Sequence, residues 1–211
     1  MQKTRAMAKR IRNKEGSINK ALETAFLFHA TRPYDKVSLE EMAAHSAMTS
    51  GGILYHFKTK NNLFMQMCDK FVLEESSLFN KVEMYEDTTF LEYIDRYISL
   101  LDKQRRKAKE LGIDNLNRAL VNITNQAIFY YPDFIELGNK WVDLQIEEWK
   151  KVLIKSMVKR DIRENIDINL AARSFETIYI GLAYASIASE EGLDLPELKK
   201  SFIFLYNSLR V

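Results

Sequence analysis

The sequence predicts an all-α protein: a short three-helix head containing a helix-turn-helix, followed by a larger helical body. Three observations carry this. Glycine and proline are scarce, seven and three in 211 residues, so few positions interrupt helices. Helix-start signals recur, with S-x-x-E at Ser38–Glu41 and T-x-x-E at Thr89–Glu92, each able to form a reciprocal capping box. Apolar residues then follow at helical spacing, as in Tyr93, Ile94, Tyr97, Ile98 and Leu101.

Taken in order, a first helix lies around Ala21, Leu22, Ala25 and Phe26, after the basic tail MQKTRAMAKRIRNK. Ser38 opens a second helix that buries Leu39, Met42 and Ala43. His45, Ser46 and Ala47 form the turn, and Met48 is its plug. Thr49 caps a third helix over Ser50 to His56, with Ile53 facing inward. Thr59 caps the next, expected to run from Lys60 to about Tyr85. The helix opened by Thr89 ends in KQRRKAKELG, a basic run favourable at a helix C-terminus, with Gly112 as its stop. Another helix covers Asp114 to Tyr130, Pro132 breaks the pattern, and Asp133 with Glu136 restarts it. Long helices follow from Phe134 to about Arg160 and from Asp167 to about Ser189. Pro196 begins the last, which carries Leu198, Phe202, Leu205, Tyr206 and Leu209.

Charge divides the chain. Residues 1–60 hold eleven Lys/Arg against five Asp/Glu, a net of +6, while the remainder carries 20 against 24, a net of −4. A basic front on a mildly acidic body suits a polyanion-binding module attached to a domain with other work. The third helix opens with Ser50, Gly51 and Gly52, and two glycines inside a short helix cost roughly 1 kcal/mol each relative to alanine. Close approach of a DNA strand to the backbone is one offsetting reason, and easing a tight turn is the other. Tyr55 and His56 carry groups suited to phosphate oxygens, and Lys58 and Lys60 follow. Leu54 either packs inward or touches a thymine methyl. The N-terminal tail is either an arm that follows DNA or a solvated terminus.

From about Ile18 to Phe71 the chain resembles the tetracycline-repressor (TetR) family of bacterial regulators. The resemblance rests on Ala21, Leu22, Ala25 and Phe26, on Tyr34-Asp35-Lys36-Val37-Ser38, on Met42-Ala43, and on the string GGILYHFKTKNNLF. It implies a DNA-binding head over residues 1–59 and an effector-binding and dimerisation body over 60–211. It implies phosphate contacts from Ser38 and Lys60, base or nearby backbone contacts from Thr49, Ser50 and Gly52, and further contacts from Tyr55 and His56. With Gly51, Leu54 and Lys58 these make the candidate DNA-binding set. The chain departs from the family at Ser46-Ala47, Ser50, Leu54 and Arg32-Pro33, which puts operator sequence and affinity in doubt.

The body is expected to form a homodimer through its two long helices, which are apolar beyond one face; the alternative is that both faces are core of one large bundle. The residues assigned to that interface are Trp149, Val152, Phe175, Ile178, Gly181, Leu182 and Ala185. A reader of palindromic double-stranded DNA needs such a two-fold partner. The resemblance also implies a pocket for a small, largely apolar effector. Its expected lining is Tyr93, Tyr97, Asn122, Gln126, Phe129, Tyr130, Phe134 and Trp141, although aromatics at helical spacing read equally as core. The expected activity is that of a repressor released by its effector, with the helix from Lys60 as the lever. An architectural DNA-binding protein, or a helical small-molecule binder or enzyme, is the alternative.

Other classes lack their signatures. His29, His45 and His56 lie on different faces or elements, and no phosphate loop, G-x-S-x-G or cysteine pair occurs, so no catalytic residue, metal or cofactor is expected. The single Cys68 excludes an intrachain disulfide and reads as a half-buried helix position. No apolar run approaches the roughly 20 residues of a membrane span, and the N-terminus has no signal-peptide core, so a cytoplasmic location without membrane contact is expected.

Overall fold

A computed structural model describes residues 2–46, 48–74, 81–82 and 88–211, with side chains from Glu15 onward. Ala47 of the expected turn and Tyr85 at the expected end of the lever lie outside the described residues. Those that are described form α1 (Gln2–Thr31), α2 (Leu39–Ser46), α3 (Ser50–Phe57), α4 (Lys60–Cys68), α5 (Phe90–Glu110), α6 (Leu116–Tyr130), α7 (Phe134–Val158), α8 (Ile168–Ala185) and α9 (Leu195–Leu209). Short 3-10 turns occupy Tyr34–Lys36 and Ser186–Ala188, and the described residues contain no β-strand beyond an isolated bridge between Ile162 and Arg210. Among them no helix is long and apolar enough to cross a membrane.

Local caps explain most of the starts. Thr89 accepts from the Glu92 amide while Glu92 accepts from the Thr89 amide, the expected box. Asp167 and Asp194 accept from Leu170 and Glu197, opening α8 and α9. Gly112 has φ +87° and its amide donates to the Lys109 carbonyl, while Ile113 closes back on Ala108, so α5 stops there as expected. Asp133 behaves differently from its expected capping role. It stands before α7 in the left-handed region at φ +64°, and its side chain makes no cap bond. The basic tail is the first half of α1 rather than a separate arm.

The chain divides into two compact units. The first is Met1–Val72 with Asn122–Pro132, and the second Leu73–Val121 with Asp133–Val211. The first buries Ala21, Ala25 and Phe26 of α1, Ile53 and Phe57 of α3, Leu63, Phe64 and Met67 of α4, and Ile123 and Ala127 of α6. Phe26 stacks on Phe71 at 4.5 Å. Cys68 is fully buried rather than half-buried, and burial pushes its thiol pKa up, which makes it a packing residue with little thiolate character. After Cys68 the helix loosens to a π-helical stretch over Asp69–Glu74, so the expected lever is not one uniform α-helix.

The second unit's core joins α5, α7, α8 and α9 through Phe90, Tyr93, Tyr97, Trp149, Phe175 and Phe202. Trp149 stacks on Phe175 at 4.7 Å and meets Phe202 edge-on at 5.0 Å. Asn115, which sequence reasoning passed over, fastens this unit's loops. Its Oδ1 caps α6 at the Arg118 amide, and its Nδ2 donates to the carbonyls of Ser186 and Ser189.

A candidate nucleic-acid interface

The helix pair α2–α3 is set by short-range bonds that the sequence dictates. Ser38 Oγ accepts from the Glu41 amide at 3.1 Å, and Glu41 returns to the Ser38 amide at 3.0 Å. Glu41 also takes Arg32 Nη1 at 2.9 Å, and this bond, with those from Ser38, holds its carboxyl down to about 2. The Arg32 guanidinium lies 4.3 Å over the Phe28 ring, fixing α2 to the end of α1. Ser38, expected to meet phosphate, is thus engaged in the cap, its hydroxyl also donating to Glu41 at 3.2 Å.

Thr49 caps α3 by accepting from the Gly52 amide at 3.0 Å. Ile53 and Phe57 are 0% and 1% exposed, and side chains of this size contribute about 1.5–3 kcal/mol each when buried. Anchoring that face turns the opposite one outward, with Gly51, Leu54 and Tyr55 all exposed. Leu54 therefore points away from the core, which answers the question left open by its sequence context. Tyr55 is 70% exposed, with the His56 ring edge-on at 5.0 Å and the Lys58 ammonium 5.4 Å from its centroid. Lys58 itself takes φ +68°, a conformation that non-glycine residues rarely adopt, and it ends α3 so that Thr59 at once caps α4 through the Asn62 amide.

The two glycines differ. A Cβ on Gly52 would meet Thr49 Oγ1 at 3.2 Å and Met48 Cε at 3.6 Å, so the tight cap gives Gly52 an internal reason. A Cβ on Gly51 would meet nothing closer than Thr49 Oγ1 at 4.0 Å, and neither glycine has positive φ. The fold supplies no requirement for a bare backbone at Gly51. Lys60 also departs from expectation. Its ammonium donates to the Tyr34 carbonyl at 2.6 Å and sits 4.0 Å from the Tyr34 ring, and burial lowers its pKa. It clamps α4 to the α1–α2 link instead of extending toward solvent.

Four of the expected effector residues, Asn122, Gln126, Phe129 and Tyr130, belong to this first unit. Asn122 donates to the Ala30 carbonyl at 2.8 Å, and Gln126 donates to the His29 carbonyl at 3.0 Å. Because Gln126 Nε2 donates, its Oε1 accepts from His29 Nδ1 at 3.3 Å, which places the neutral imidazole proton on Nδ1. Burial lowers the His29 pKa to about 4, so the ring is neutral at pH 7. Tyr130 stacks on Tyr34 at 4.1 Å and donates to Asp35 at 2.7 Å, and Tyr131 donates to Asp69 at 2.6 Å. The second half of α6 is therefore bolted to α1, the α1–α2 link and α4, while residues 116–121 of the same helix belong to the second unit. Phe129 is 83% exposed.

The other expected effector residues lie in the second unit. Tyr93 and Tyr97 are buried in its aromatic core, Phe134 is buried, and Trp141 is half-buried with its Nε1 lacking a partner among the described residues. The eight residues are thus divided evenly, four in each unit. The buried carboxylate of Glu176, next to Tyr97 and Trp149, was not singled out from sequence. Of the expected dimer residues, Trp149, Val152 and Phe175 are at most 3% exposed and complete the unit's own core. Gly181 and Ala185 are exposed, and Ile178 and Leu182 half-buried. The large apolar residues that α7 and α8 turn outward are Ile135, Ile154, Val158, Leu170, Ile180 and Tyr184. No group of His, Cys, Asp and Glu among the described residues could hold a metal ion.

Residues 21–67 match the sequence profile of "Bacterial regulatory proteins, tetR family". No curated protein sequence matches the chain significantly. Among solved structures, a Rhodococcus sp. protein assigned to the TetR-family transcriptional regulators superposes with TM-score 0.68 at 12% identity, over 92% of this chain and 98% of that one. The SmeT–triclosan complex superposes at 0.67 with 16% identity, over 92% of each chain. NalD of Pseudomonas aeruginosa, the secondary repressor of the MexAB-OprM multidrug efflux pump, gives 0.65 at 16% identity, over 93% of this chain and 98% of that one. At these identities the likeness establishes a shared fold across nearly the whole chain.

Proposed function

We propose that this chain is a ligand-responsive repressor of the TetR family, which binds a palindromic operator as a dimer and is released by a small molecule; the match over residues 21–67 and the fold support this reading. Residues 1–59 carry DNA binding, and residues 60–211 carry effector binding and dimerisation. The single observation that carries the reading is the outward face of α3, where Gly51 leaves bare backbone beside the exposed Leu54 and Tyr55. Gly51 admits a base edge or phosphate, Leu54 and Tyr55 read or grip the groove, and Thr49, Ser50, His56 and Lys58 serve the adjacent strand. Lys58, whose ammonium meets, among the described residues, the Tyr55 carbonyl at 3.0 Å and the exposed face of that ring, is a better phosphate partner than the internally bonded Lys60.

Two copies pair through α7 and α8. On α8 the residues Leu170, Ser174, Thr177, Gly181 and Tyr184 recur at alternating four- and three-residue steps along the outward side, the period of a helix–helix seam. A Cβ on Gly181 would meet nothing, so this stripe has room for a helix of the second copy at close range. Pairing there sets the two α3 helices about 34 Å apart, one groove repeat. Effector binding in the second unit changes that spacing through α6, whose second half holds the head by Asn122, Gln126, Tyr130 and Tyr131.

Gly51→Ala tests the reading because its two effects have opposite signs. Alanine should stabilise the head by about 0.5–1 kcal/mol, since α3 gains helix propensity and the site is open. Operator affinity should fall at least about tenfold, the loss expected when a methyl group obstructs a backbone contact. Thermal melting and gel-shift titration read the two separately. Increased stability with unchanged affinity would remove α3 from the groove.

A further inference from the structure

Glu176 of α8 is 1% exposed. Its Oε2 accepts from Trp149 Nε1 at 3.3 Å, and its Oε1 has no hydrogen-bond partner among the described residues. No described Lys, Arg or His pairs with it. A second carboxylate, Glu148 of α7, also acts on Tyr93; it has the same sign as Glu176 and is bound to Lys151 at 2.6 Å. Three tyrosines surround the carboxylate electrostatically, Tyr93 and Tyr97 from α5 and Tyr179 from α8. Tyr97 lies 5.0 Å from Trp149 and 6.0 Å from Tyr179, and Tyr93 lies 5.4 Å from Trp149.

A carboxylate in such a place is expensive when ionised without a counter-charge, and glutamine would fill the same volume without that penalty. Aromatic faces attract cations through their quadrupoles, most strongly where water is excluded. We propose that Glu176, with Tyr93, Tyr97, Trp149 and Tyr179, anchors a site for an organic cation, an amine or quaternary ammonium on an apolar body. The further assignment of that cation as the effector rests on the regulator reading above.

The surroundings supply a route for the signal. A cavity of about 20 Å³ abuts Tyr179, its lining made of leucines, Leu116 and Leu120 of α6 among them, and of the polar Gln104, Asn117 and Arg105, the last paired with Asp102 at 3.0 Å. It admits a group about the size of a water, so a larger compound enters only as the layer repacks. Repacking beside Tyr179 displaces the first half of α6, the helix whose second half holds the reading head.

Calorimetric titration of the full chain at pH 8 tests this, with benzyltrimethylammonium and tetraphenylphosphonium as probes and benzyl alcohol and triphenylphosphine oxide as their neutral counterparts. At least one cation should bind, its neutral counterpart should bind far more weakly, and Glu176→Gln should weaken the cation at least about 30-fold. Should the glutamine variant fail to fold, Tyr179→Leu reads the same site, with an expected loss of about tenfold. The proposal is overturned if neither cation binds, if the neutral counterpart binds equally, or if the folded variant keeps wild-type affinity. Duplex binding on the same preparation separates the two ideas. A protein that binds duplex and no cation keeps the regulator reading and loses this site. One that binds cation through Glu176 and no duplex keeps the site and loses the regulator reading.

Discussion

Tyr55→Ala is expected to weaken operator binding about 100-fold while leaving the melting temperature essentially unchanged. The ring is 70% exposed and its neighbours are the half-buried His56 and the exposed Lys58, so the folded head loses little when it is removed. A side chain that grips a groove contributes about 1–3 kcal/mol, and a two-fold dimer uses it twice. A contact of about 1.4 kcal/mol, near the lower end of that range, doubled gives about 2.8 kcal/mol, or two orders of magnitude in affinity. The two lysines sharpen the comparison. Lys58→Ala should flatten the salt dependence of binding, because a phosphate contact releases counterions. Lys60→Ala should act mainly on stability, because its ammonium is bound to the Tyr34 carbonyl and ring. Gel shifts over a salt series, paired with thermal melts, distinguish these outcomes; loss of melting temperature in Tyr55→Ala would assign the ring to packing.

Glu176→Gln should stabilise the protein at pH 8 by about 2–3 kcal/mol, with the gain vanishing near pH 4.5. Burial raises the carboxyl from 4.5 in the unfolded chain to about 7 in the folded one, against a smaller opposing pull from the Trp149 hydrogen bond. Below pH 4.5 both states are protonated and the wild type carries no penalty. As the pH climbs from 4.5 through 7 the unfolded state ionises first, so stability is lost across that window. His29 works in the opposite direction in the other unit. Its pKa falls from 6.5 to about 4, so acid costs the folded state stability between those values. The two nearly offset in the wild type, and the difference between wild type and Glu176→Gln isolates the carboxyl. Chemical denaturation at pH 4.5, 6 and 8 measures it, and a difference independent of pH would mean that Glu176 is not a titrating buried acid.

What could be read from the sequence was local. The caps at Ser38–Glu41, Thr49, Thr59, Thr89–Glu92 and Asp167 each join a side chain to an amide three residues away, so sequence spacing contains the whole interaction. The TetR-like head was legible for the same reason, since α2, α3 and their turn are contiguous. What sequence could not allot was the facing of helices that are apolar on several sides. Trp149 and Phe175 look as suitable for a dimer as Leu170 and Tyr184 do, and only packing against α5 and α9 sends the first pair inward. Asn122 and Gln126 were rightly noticed as polar groups on a half-buried helix, but their partners, His29 and Ala30, lie more than 90 residues away. Lys60 was misdirected likewise, because the carbonyl that captures it belongs to Tyr34, 26 residues earlier.

The most direct measurement is selection of duplexes from a random pool by the purified full-length protein at low salt, run beside Tyr55→Ala. The account predicts enrichment of an inverted repeat whose half-site centres lie about 10 base pairs apart, and loss of that enrichment in the variant. Retention of no duplex, or of the same duplexes by both proteins, would contradict it.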